Sequence, residues 1–158
     1  MAEAVIDKFD GTMYAFLSNF YLHPIEWEGI RYPSTEHAYQ AAKTTNPLIR
    51  AQMAKERSPG KVKRLGRKLL IRPDWEAIKV DIMLRVCRIK FSDIDLGCNL
   101  LDTGHATLIE GNTWGDTFWG VCDGQGFNML GNVLMRIRSE LRWKQALELT
   151  GREHTWEV

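Results

Sequence analysis

Hydrophobic positions change period along this chain, and the changes divide it into elements. From Phe9 to Pro33 aromatic and aliphatic residues alternate with turn formers. FLSNFY and HPIEWEGIRYP read as short strands, the second folded about a turn at Glu28 and Gly29. From Ser34 the spacing becomes helical. Ser34 caps a helix to about Thr44, and Asn46-Pro47 opens a second through about Lys55. Ser58-Pro59 opens a third, short one ending near Arg67. Asp74 stands as the cap of a long helix to about Phe91, whose Trp75, Ile78, Ile82, Val86 and Ile89 recur at three- and four-residue intervals and form one core face. Another helix is expected from Ser92 to Leu101. The glycine- and aromatic-rich stretch Thr103 to Gly126 carries one or two short strands, such as ATLIEG. Asn128 caps a last helix with Leu130, Leu134, Ile137 and Leu141 buried, and the polar residues after about Lys144 are expected to trail off. The fold class is α+β, predominantly helical, with a small sheet from the N-terminal third and the Thr107 to Val121 region.

At 158 residues, with neither repeats nor a Pro/Ser-rich linker, the chain reads as a single domain with its core at about 9–143. The formal net charge of +1 names no partner by itself. Cys87, Cys98 and Cys122 are odd in number and lack CxxC spacing, which suits a reducing cytosol. His23, His37, His105 and His154 form no metal-ligand pattern, so no metal and no cofactor are expected. With no run of roughly 18 apolar residues and no signal-peptide core, a cytoplasmic protein without a membrane partner is expected.

The chemistry concentrates in YPSTEHAYQAAK. If Ser34 caps the helix, Glu36, Gln40 and Lys43 stand at i, i+4 and i+7 with Tyr39 beside them, within a sector of roughly 100°. Ala38, Ala41 and Ala42 take the opposite side and allow close packing. An acid, an amide and an amine on one stripe suit an active site; an ordinary surface helix has the same pattern. A second candidate is the loop Gly111 to Gly131. Its glycines let the main chain approach a ligand, Trp114 or Trp119 could stack on a heterocycle, and free amides after Asn128 could hold a phosphate. The loop equally reads as a long turn whose tryptophans belong to the core. Third is a basic run: Lys55, Arg57, Lys61, Lys63, Arg64, Arg67, Lys68 and Arg72 against the single acid Glu56. It fits a pyrophosphate, a nucleic-acid backbone, or simply a solvated face. The loop lacks P-loop and GxGxxG patterns, and no Gly-x-Ser-x-Gly elbow points to acyl transfer.

Six segments in order give the chain a family likeness. They are FLSNFY; YPSTEHAYQAAK; DW with a helix ending in KF; LL-x-TG-x-x-x-LIE; D-x-x-WG at Asp116 to Gly120; and N-x-LG-x-x-LM-x-x-R from Asn128. Together they span roughly Phe9 to Leu141, and in them the chain resembles the NADAR family, named for NAD and ADP-ribose, which includes the YbiA-like N-glycosidases. The resemblance implies hydrolysis of a bond between ribose C1 and an exocyclic amine, either on ADP-ribosylated guanine in nucleic acid or on early phosphoribosylamino-pyrimidine intermediates of riboflavin biosynthesis. It implies Glu36 and Lys43 as the catalytic pair, with Ser18, Asn19, Phe20, Asp116, Trp119, Gly120 and Asn128 as further site residues. Tyr39 and Gln40 join them from the stripe. Nucleic acid is an expected contact of the Lys55 to Arg72 run, and the sequence leaves open whether the protein opposes a toxin as a toxin–antitoxin partner, defends a phage or scavenges damaged metabolites. A non-catalytic module that binds ADP-ribose or NAD is the alternative of another class.

Overall fold

The computed structural model describes residues 4–11 and 13–151. Among the described residues the strands and α-helices follow one another as β1 (Val5–Ile6), β2 (Ile25–Trp27), β3 (Ile30–Tyr32), α1 (Thr35–Ala41), α2 (Pro47–Lys55), α3 (Pro59–Gly66), α4 (Trp75–Phe91), α5 (Ile94–Asp102), β4 (Thr107–Leu108), β5 (Gly111–Asn112), β6 (Val121–Cys122) and α6 (Met129–Thr150). The architecture is α+β with helix predominant, as the periodicity predicts.

The strands make three separate two-stranded ladders rather than one sheet. β1 pairs in parallel with β4, which does join the N-terminal third to the Thr107 region. β2 and β3 form the antiparallel hairpin about Glu28 and Gly29, both of which take positive φ. β5 and β6 pair in parallel.

Three helices begin on the caps expected of them. Ser34 Oγ accepts from His37 N, Asn46 Oδ1 from Leu48 N, and Ser58 Oγ from Lys61 N. Elsewhere the expectation is corrected. Asp74 gives no cap bond because its carboxylate takes Arg72 in a bidentate pair at 2.6 and 2.8 Å. α5 begins at Ile94 rather than Ser92, with Asp93 as its cap, accepting from Leu96 N at 3.0 Å. Asn128 sits at φ 51°, left-handed, and spends its side chain elsewhere. α6 does not trail off after Lys144 but runs on to Thr150; His154 lies outside the described residues.

FLSNFY is not a strand. A 3-10 turn at Ala15–Leu17 passes into a turn in which Tyr21 N bonds Ser18 O and Phe20 N bonds Ser18 Oγ. Its small polar side chains compete with a ladder for backbone groups. The turn is locked onto α1 instead: Glu36 N donates to Asn19 O, and Thr35 Oγ1 to Asn19 Oδ1 at 3.1 Å. Lys90, only 1% exposed, holds it from the other side by donating to Ser18 O at 2.8 Å. α4 packs against α1, α5, α6 and β2, so the site hangs on a central helix.

Candidate active site

Every residue of α1 is buried, so the stripe is not a surface helix. Glu36, 5% exposed, and the buried Gln40 face a cavity of about 790 Å³. Ser18, Asn19, Phe20, Tyr39, Lys43, Asp116 and Trp119 line the same space, while Gly120 and Asn128 do not. These two expected site residues lie behind the wall.

Gln40 Nε2 donates to Glu36 Oε1 at 2.8 Å and fixes that carboxyl. Burial raises the Glu36 pKa above the ordinary carboxylate range, and the Gln40 bond and the Lys63 and Lys43 charges only partly oppose it. Lys43 follows the end of α1 and is half-buried; burial lowers its pKa, and the Glu36 charge opposes this without reversing it. Its Nζ lies 5.8 Å from the Tyr39 ring and 5.9 Å from that of Trp75. Burial therefore prevails at both groups: the acid tends to keep its proton and the amine to lose one.

Tyr39 is wedged between Trp75 and Trp119, with ring centroids 5.1 and 5.4 Å away. Burial raises its pKa, so it stays a neutral phenol. Trp119 is thus engaged in packing, whereas Trp114, 60% exposed, stands at the mouth. Asp116 is held by Asn112, which accepts from its N–H at 3.0 Å, and its own Oδ1 accepts from Phe118 N and Trp119 N. The first amides of α6 are consumed by the loop, Met129 N by Phe118 O and Leu130 N by Trp119 O. They are not the phosphate site that the glycine loop suggests.

Of the basic run, Lys63, Arg64 and Arg67 line the cavity, one face at three- and four-residue spacing; Lys55, Arg57, Lys61, Lys68 and Arg72 do not. Among the described residues none of these three cations is in a salt bridge with a protein carboxylate. Lys63 Nζ stands 5.5 Å from the Phe20 ring and 5.6 Å from that of Trp114, aromatics brought from two distant segments. Sequence reasoning missed Glu110 as a site residue, although it lies within the LIE segment; it lines the cavity too. Among the described residues no group of three or more His, Cys, Asp or Glu could hold a metal ion, and no helix is long and apolar enough to cross a membrane.

The NADAR domain profile matches residues 8–142. The chain belongs to the NADAR family. N-glycosidase YbiA of Escherichia coli is 36% identical over 132 residues, covering 81% of this chain and 82% of that protein. A riboflavin biosynthesis protein of Vibrio vulnificus is 37% identical over 133 residues, 82% of this chain but 36% of that one. The NMR structure of E. coli YbiA superposes with a TM-score of 0.82 at 31% identity, covering 99% of this chain and 94% of that one. This NADAR chain is accordingly an enzyme, a hydrolase of the N-glycosidase kind.

Proposed function

We propose that the chain hydrolyses the bond between ribose C1 and the exocyclic amine of ADP-ribosylated guanine in nucleic acid. The observation that carries this is a buried acid and a half-buried amine lining a cavity of about 790 Å³, to which the neighbouring α3 and Arg67 add three cations that, among the described residues, are in no salt bridge with a carboxylate. That volume is near the upper end of the usual range for small-molecule sites, room enough for a pyrophosphate-linked dinucleotide group. In duplex DNA the modified base would leave the stack to enter.

The chemistry follows from the nitrogen lone pair at C1. That pair forms a C1–N double bond as the bond from C1 to the ring oxygen breaks, and the Glu36 carboxyl gives the oxygen its proton. Neutral Lys43 attacks C1. The C1–N bond to guanine then breaks as that nitrogen takes a proton, leaving C1 joined to Lys43 as an imine. Water cleaves the imine and frees ADP-ribose and the lysine. In the direct route Glu36 or Asp116 would activate water and Lys43 would only bind. Borohydride added during turnover of an ADP-ribosylated guanine oligonucleotide is expected to fix a reduced adduct on Lys43, and full activity in Lys43→Ala excludes the imine route.

A second substrate has an observation of its own: the likeness to a riboflavin biosynthesis protein. A phosphoribosylamino-pyrimidine offers the same anomeric amine with one phosphate. Release of ADP-ribose from the oligonucleotide, measured beside ribose 5-phosphate release from the pyrimidine, decides between them.

A further inference from the structure

We infer that Glu110 is a third reacting side chain of this site: the base that takes a proton from the water that completes hydrolysis. The inference rests on the N-glycosidase reading of the cavity. Glu110 lines that cavity, and its Oε2 is buried without a hydrogen-bond partner. A carboxyl oxygen held dry and unpaired is costly unless a ligand or water serves it. Glu36, by contrast, is already bonded to Gln40.

The surroundings of Glu110 are built to aim it. Its N–H donates to Asn128 Oδ1 at 3.0 Å, and its carbonyl accepts from Val121 N at 2.8 Å. Asn128 Nδ2 bonds Leu108 O at 2.8 Å, so one amide spans two residues of the segment that carries Glu110. To do so Asn128 keeps a left-handed backbone at φ 51°, a strained conformation that is retained only where the surroundings impose it. Gly131 leaves the room: a methyl there would strike Leu108 O and the Asn128 side chain. Gly120 does the same beneath Glu110, since a methyl would strike Glu110 O and meet its Cγ at 3.1 Å. Asn128 and Gly120, absent from the cavity wall, are therefore positioning residues for Glu110.

Water's oxygen bonds to C1 of the protonated Lys43 imine while the C–N electron pair returns to Nζ, and one water proton passes to the Glu110 carboxylate. Glu110 hands that proton to Nζ. The C1–Nζ bond then breaks as C1–OH closes to a carbonyl, and the hydroxyl proton goes to Glu110. Burial, then the Asp116 charge, with Lys63 opposing, push Glu110 up to about 7, so both of its forms are populated at neutral pH.

The test uses Glu110→Gln and Glu110→Ala with the oligonucleotide and pyrimidine substrates, folding being checked by thermal melting. Glu110→Gln is expected to lower kcat about 100-fold or more, to leave KM within about threefold, and to raise the borohydride-trapped Lys43 adduct above wild type. Formate is expected to restore at least about tenfold of the activity of Glu110→Ala, which a merely structural carboxyl would not allow. Wild-type kcat in Glu110→Gln, or no formate rescue of folded Glu110→Ala, overturns the inference alone. A wild-type enzyme that turns over neither substrate overturns the reading of the cavity and this inference with it.

Discussion

Glu36 and Glu110 reach the same cavity from two distant segments of the chain, and burial raises the pKa of both. For Glu110 this has a sign that stability measurements can read. A carboxyl whose folded value exceeds its unfolded one contributes stability fully below the unfolded value, and loses it as pH rises through the folded one. The window runs from 4.5 to about 7. Glu110→Gln lacks that titration, so its melting temperature relative to wild type should climb by roughly 10 °C across the window and level off above it. A difference flat with pH would contradict the raised value. The Glu36, Gln40 and Lys43 stripe was legible in the sequence because helical period alone aligns it. Glu110 was not, because its partners lie 10 to 18 residues away and no local spacing relates them.

Helix starts were legible at Ser34, Asn46 and Ser58, where the side chain serves its own helix. At Asp74 and Asn128 the helices also start where expected, but the side chains form no cap bond, because Arg72 claims Asp74 and the Glu110 N–H claims Asn128. The FLSNFY turn was hidden for a related reason: beyond its own short bonds at Ser18, it is held by Thr35 and Lys90, which are distant in sequence. Packing between α1 and α3 shows how an element's contact governs the chemistry. Gly66 ends α3 against Gln40, and a methyl there would fall inside contact distance of Gln40 Oε1 and 2.9 Å from its Cδ. Propensity alone would favour Gly66→Ala by about 1 kcal/mol. Overpacking costs typically 1–3 kcal/mol, and the group that must yield is the Gln40 amide, whose Nε2 fixes Glu36. Gly66→Ala should therefore lower the melting temperature and cut kcat/KM by about tenfold. A variant that melts higher with full activity would show that Gln40 does not orient the acid.

For the molecule as a whole, a formal charge of +1 hides an uneven distribution. The basic run divides into cations that line the cavity and cations that do not, a division set by how α3 and the residue after it meet the cavity. The two sets should behave differently. Arg64→Ala with Arg67→Ala removes charges that would meet phosphate inside the site. Charged hydrogen bonds are worth about 1.5–3 kcal/mol each, so KM should rise at least about tenfold for either phosphorylated substrate while kcat changes little. A ribosylamine without phosphate should not distinguish this variant from wild type. Lys55→Ala, Lys61→Ala and Lys68→Ala together remove exposed charges outside the cavity. Those can serve only a backbone that extends past the site, where contacts release counterions and weaken with salt. The triple variant should raise KM for a long ADP-ribosylated oligonucleotide and flatten its salt dependence, yet leave a single modified nucleotide and the pyrimidine substrate unchanged. If the oligonucleotide is equally indifferent, nucleic acid does not follow this face, and the enzyme's working substrate ends where the cavity does.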